Sequence, residues 1–233
     1  MTDDTAGRLS RQEISAAVGD LGWRYVLGAV LTTVPVGSLA QAAEVAARLV
    51  EAAGEDAGGG LRMDVRADLL VLTVQSFALA RVTPREVELA RRVSAAADGL
   101  GLRLDPGTAG AGPRAVQLIE IAIDALDIAR IRPFWKAVMG YGDEPGASGP
   151  EDPLVDPLGQ GPAIWFQQMD APRPQRNRIH LDVSVPHDEA AARIEAALAA
   201  GGVLLSDAAA PSFWVLADAE GNEACVTTWQ GRD

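Results

Sequence analysis

The 233-residue chain carries a formal net charge of −12 and 48% hydrophobic residues, enough apolar material to build one large core or two small ones. That acidic balance, with no run of Lys or Arg, argues against nucleic acid and anionic membrane surfaces as partners. The apolar stretch over residues 26–50 is broken by Ser38, Gln41, Glu44 and Arg48 well before the roughly 20 residues a membrane span needs.

The N-terminal sequence is acidic and polar, without the basic and apolar regions of a leader. One cysteine, Cys225, allows no internal disulfide, which fits a reducing cytoplasm. Ser10 followed by Glu13 is an N-cap and N3 pair, and predicts a helix to about Asp20. "GWRYVLGAVLTTV" reads as two short strands around Gly28. "GSLAQAAEVAARLVEAAG" is a helix stopped at Gly54, and "LRMDVRADLLVLTVQSF" a hairpin turning at Arg66 to Asp68. Thr83 as N-cap, Pro84 at N1 and Gly99 near the end frame another helix. The order αββαββα predicts an antiparallel sheet with its helices on one face, within an α+β fold.

"LRLDPGTAGAGPRAV" marks the sharpest shift in composition. It suggests a domain over 1–104, a linker over 105–114 and a second domain over 115–233. The second half contains a weak internal repeat. "VQLIEIAIDALDIARIRPFWKAVMGYG" through "AIWFQQM", and "NRIHLDVSVPHDEAAARIEAALAAGGVL" through "FWVLADAEGNEACVTTW", each read βαβββ, with the last hairpin turning over Asp218 to Asn222. Two such modules pair into a half-open cavity. His187 stands at the start of the second module's helix and reads as a residue without chemistry.

The first half, through "LSRQEISAAVGDLGW" and "VTPREVELARRV", resembles the pterin-4a-carbinolamine dehydratase family. That family works with a His-His-Pro before its third strand and another His after its fourth. Here Gly59, Gly60 and Leu61 fall at the first position and Phe77 at the second. No imidazole remains to move a proton near neutral pH. The resemblance therefore implies a degenerate scaffold, or a binder of a flat heterocycle without turnover. Asp64, Asp68 and Arg62 read as solvated residues near the hairpin turn.

The second half resembles the glyoxalase-like branch of the vicinal-oxygen-chelate superfamily. "IDALDIARIRPFW", "NRIHLDV", "AALAAGG" and "LADAEGNEACV" carry the likeness, in order. The superfamily's metal-binding positions carry over to Glu120, Gln167, His180 and Cys225. A carboxylate, an amide, an imidazole and a thiol suit neither hard nor soft ions well, so no metal or other cofactor is expected. Zinc is the ion this set would take if it took one.

The resemblance thus implies a small-molecule enzyme, with lyase-type chemistry favoured, or a binder, acting on a flat organic ligand without a metal. Glu120 and His180 are the candidate acid/base pair, expected on adjacent strands. Gln167, Cys225, Trp165, Phe166 and Trp214 are the candidate ligand-binding residues. Because neighbours on a strand face opposite ways, at most one of Trp165 and Phe166 lines the cavity, and likewise of Phe213 and Trp214. A pterin dehydratase, a ligand-sequestering resistance-type protein and a metal-dependent lyase or dioxygenase are the alternatives, and self-association into a homodimer is compatible with either half.

Overall fold

Ser10 Oγ accepts the backbone N–H of Glu13 at 3.2 Å while the Glu13 carboxylate accepts that of Ser10 at 2.7 Å. This reciprocal cap satisfies two N-terminal donors and starts α1, Arg11–Gly19. The computed structural model describes residues 9–107, 115–172 and 179–231. It divides into two units, Met1–Leu118 and Ile119–Asp233.

In the first unit β1 (Arg24–Val26) and β2 (Ala29–Pro35) join through Leu27 and Gly28, at φ 48° and 79°. A two-residue turn with both central φ values positive matches the right-handed twist of the strands, and glycine meets the requirement without strain. α2 (Leu39–Ala53) is capped by Ser38 and ends where Gly54 turns to φ 61°. A short 3₁₀ turn and α3 (Ala57–Gly60) lead into the hairpin β3 (Leu61–Val65) and β4 (Leu69–Val74). α4 (Pro84–Gly99) starts on a second capping box, Thr83 with Glu86. The sheet order is β1-β2-β4-β3, antiparallel throughout.

Alternation along β4 sends Leu70, Leu72 and Val74 into one core with Leu49 of α2 and Val93 of α4. Each leucine taken fully out of water there contributes roughly 2 kcal/mol. Trp23, fully buried, donates its indole N–H to Ser94 Oγ at 2.9 Å. After α4, Thr33 and Asp105 exchange both backbone hydrogen bonds (3.2 and 2.9 Å), so residue 105 is tied to β2. Of the linker expected over 105–114, residues 108–114 lie outside the described residues.

The second unit contains two βαβββ copies. The first is β5 (Glu120–Ala125), α5 (Ile128–Met139), β6 (Gly142–Asp143), β7 (Leu154–Val155) and β8 (Ala163–Gln168). The second is β9 (Leu181–Ser184), α6 (Ala190–Ala199), β10 (Val203–Ser206), β11 (Phe213–Ala217) and β12 (Glu223–Thr227). Their sheets have the same order, β5-β8-β7-β6 and β9-β12-β11-β10, and in each the first strand runs parallel to the last. Glu120 faces Ala163 and Leu181 faces Ala224, a spacing of 43 residues in both copies.

β6 and β7 are held by side chains. Arg132, nearly buried on α5, donates to Asp143 at 2.6 Å and to the Asp152 carbonyl at 2.7 Å, and Lys136 joins Asp143 at 2.7 Å. The copies are bound to each other through their turns. Glu220 accepts the backbone N–H groups of Leu126 and Asp127, both at 2.7 Å, and Arg193 of α6 donates to the Val138 carbonyl at 3.2 Å. Among the described residues, no helix is long and apolar enough to cross a membrane.

Candidate active site

β12 is buried on both faces. Ala224 and Val226 enter the core with Leu216, leaving Cys225 and Thr227 on the other face. The parallel register sets Cys225 opposite Asp182 and Thr227 opposite Ser184, whose hydroxyls share a 2.8 Å hydrogen bond. The antiparallel register on the other side sets Cys225 opposite Val215 and Thr227 opposite Phe213. His180 precedes Asp182 by two residues, so it shares that face.

The result is a compact group. His180 Nε2 lies 3.3 Å from Asp182 Oδ1, and one ligating atom from each of His180, Asp182 and Cys225 lies within 4.8 Å of the other two. Together with Ser212, Phe213 and Thr227 these residues line a cavity of about 390 Å³. The His180 and Asp182 side chains are 50% and 59% exposed. A contact that open to water adds little to stability, and both groups are within reach of a ligand.

Glu120 and Gln167 belong to the other sheet. Glu120 opens β5 and His180 immediately precedes β9, and these strands lie in different sheets, which corrects the adjacent-strand expectation. The titratable neighbour of His180 is Asp182, a residue that passes in the sequence for an ordinary solvent-facing position of an alternating strand. Glu120, Ala122 and Asp124 share a face of β5 with Ala163, Trp165 and Gln167 of β8. On it Gln167 stands opposite Asp124, four residues or about 13 Å along the strand from the partner of Glu120. With Glu120 matched to His180, the equal 43-residue spacing places Trp165 with Cys225 and Gln167 with Thr227. Gln167 therefore sits one pleat beyond the counterpart of Cys225.

The aromatic residues divide by strand parity. Phe166 is buried in the core, and Trp214 lies on the helix side of β11, half-buried against that core. Trp165 and Phe213 take the opposite faces, the sides occupied by Glu120 and by Cys225. His187 lies ahead of α6 and accepts the Trp229 indole N–H on Nδ1 at 3.3 Å.

Near Glu120 a second carboxylate is perturbed. Burial pushes the pKa of Glu144 up, and the charges of Glu120 and Asp152 push it further the same way. Beside it, Asp143 is held below the usual carboxylate range by the hydrogen bonds from Lys136 and Arg132.

In the first unit the Phe77 N–H donates to the Gly59 carbonyl and the Gln75 N–H to the Gly60 carbonyl, both at 3.0 Å. The fold thus brings together the positions that the dehydratase resemblance marks. They carry backbone hydrogen bonds and the Arg62 guanidinium, 5.1 Å from the centre of the Phe77 ring, in place of imidazoles. Asp64 is paired with Arg66 in solvent.

The family described as "Glyoxalase-like domain" matches residues 120–227. That match falls wholly within the second unit. No curated protein matches the chain. Among solved structures, a glyoxalase/bleomycin resistance protein from Albidiferax ferrireducens T118 is similar at 18% identity, over 47% of this chain and 95% of that one, with a TM-score of 0.37. A genomically encoded fosfomycin resistance protein from Listeria monocytogenes is similar at 12% identity, over 50% and 96%, with a TM-score of 0.38. A transcriptional coactivator/pterin dehydratase from Brucella melitensis is similar at 22% identity, over 39% of this chain and 98% of that one, with a TM-score of 0.35. Likenesses at these values add nothing about chemistry.

Proposed function

We propose that the second unit binds and turns over a small organic molecule on the face of the β9–β12 sheet that carries Cys225. His180 acts as the acid/base group and Asp182 orients it. The observation that carries this reading is the 3.3 Å approach of His180 Nε2 to Asp182 Oδ1 beside Cys225, on the wall of a cavity about 390 Å³ in volume. A carboxylate next to an imidazole favours one tautomer and stabilises the imidazolium that forms when it takes a proton. Phe213 offers an apolar surface for a flat ligand, and Ser212 and Thr227 offer hydroxyls. Glu120, Trp165 and Gln167 share one face of the first sheet, outside the lining of this cavity, and Phe166 packs in the core. The first unit acts as a scaffold without dehydratase turnover, a reading supported by the absence of imidazole at 59–61 and 77.

The test is a binding screen of small organic molecules against the whole chain, with mass spectrometry of the recovered ligand. His180→Ala and Asp182→Asn should each weaken binding or turnover of a hit by about tenfold or more. Full retention in both variants overturns the reading, and a ligand recovered unchanged makes the protein a binder instead of an enzyme.

A second reading rests on the same three residues. An imidazole, a carboxylate and a thiolate are a set that zinc accepts, and ligands of one tetrahedral zinc ion lie about 3.5 Å apart. His180 and Asp182 already have that spacing, and Cys225 lies within 4.8 Å. A bound zinc ion would supply Lewis-acid polarisation of a ligand oxygen. Its signature is a thiolate charge-transfer band on cobalt substitution that Cys225→Ser abolishes; a protein that takes up no cobalt overturns it.

A further inference from the structure

On the opposite side of the second sheet, α6 and the start of β11 border an open hollow of about 720 Å³. Its origin is legible in the helix. α5 fills its interface with Ile128, Ile131, Phe134, Trp135 and Val138, whereas α6, reading AAARIEAALA, fully buries only Ala190 and Ala197. Alanine favours helix but adds almost no volume, so the helix forms without filling the space over its own sheet.

Three features make this a shaped site. Trp214 contributes a half-buried wall, with Ile194 and Leu198 of α6 and Pro211 among the other lining residues. The chain at Pro211 is pinned: the Thr228 N–H donates to the Ser212 carbonyl at 2.9 Å, Thr228 Oγ1 to the Pro211 carbonyl at 2.6 Å, and Ser212 Oγ to the Gln230 carbonyl at 2.9 Å. The lining also includes His187, whose Nδ1 accepts from Trp229. In a neutral imidazole an accepting Nδ1 leaves the hydrogen on Nε2, so the ring has one donor to offer.

We infer that this hollow is a second binding site, for a neutral, largely apolar ring molecule carrying one acceptor oxygen. The volume lies within the range of ligand sites, roughly 300–1,000 Å³. Glu195 in the lining and the charge of −12 oppose an anion. The hollow shares no lining residue with the His180 cavity, so the inference stands independently of the function proposed above.

Nile red, neutral and carbonyl-bearing, tests this with the full chain. It should bind saturably, one per chain, with blue-shifted emission. Ala191→Trp, a plug on an exposed helix position, and Leu198→Arg should each weaken it by about tenfold or more. Affinity unchanged in both variants overturns the inference. So does loss of binding in Asp182→Trp with retention in Ala191→Trp, which places the dye in the His180 cavity. Dye binding that falls as protein concentration and oligomer size rise also overturns it, because a second copy then covers the hollow.

Discussion

Trp135 on α5 of the first copy donates its indole N–H to Oδ2 of Asp218, on the β11–β12 turn of the second copy, at 2.9 Å. Asp218 is 3% exposed and also accepts from the backbone N–H groups of Glu220 and Asn222 and from the Asn222 side chain. Asp218→Ala removes the buried acceptor that these donors share. The expected cost is about 2–4 kcal/mol in the second unit, read by urea unfolding followed through tryptophan emission. A loss under 1 kcal/mol would mean that water replaces the carboxylate.

Gly202 lies directly beneath the Phe134 ring, with no room for a Cβ. Gly202→Ala must push α6 and Phe134 apart, and should cost about 1–3 kcal/mol. Calorimetry should register the loss in the second unit's transition, and Phe134→Leu in the same chain should recover part of it.

The two neighbouring carboxylates respond oppositely to pH. Glu144 has a raised folded pKa, so its contribution is fully present below the ordinary value of 4.5 and is lost as pH rises through the folded pKa. Glu144→Gln should therefore match the native protein in acid and exceed its stability at neutral pH. Asp143 has a lowered pKa, so its contribution is present above 3.8 and is lost as pH falls through the folded pKa. Asp143→Asn should lose stability at neutral pH and converge with the native protein in acid. Denaturant midpoints across a pH series check both signs.

In the first unit, Trp23→Phe removes the hydrogen bond to Ser94 and part of the buried ring. About 2 kcal/mol should be lost, with Ser94 left bonded only to the Ala90 carbonyl among its protein partners. Chemical unfolding of the variant measures it.

Helix starts and tight turns are written locally in this chain. Ser10 with Glu13 and Thr83 with Glu86 announce helix starts because the cap is made within four residues. The Leu27–Gly28 and Asp218–Asn222 turns are equally local. The site is legible only in part. His180 and Cys225 stand out by residue type, but their meeting depends on β9 pairing with β12 across 43 residues. Asp182 gives no local signal. The one-pleat offset of Gln167 is likewise a property of β5–β8 pairing. β6 and β7, two residues each, hide in Gly- and Pro-rich sequence because Arg132 and Lys136 hold them from outside.

The β11–β12 turn has a consequence beyond stability. Strand faces alternate, so a chain one residue shorter between Asp218 and Asn222 would turn Ala224 and Val226 toward the cavity and Cys225 and Thr227 toward the helix-side core. The carboxylate of Asp218, remote from the cavity, thus acts as a frame marker: it sets which of two interleaved sets of side chains faces the cavity.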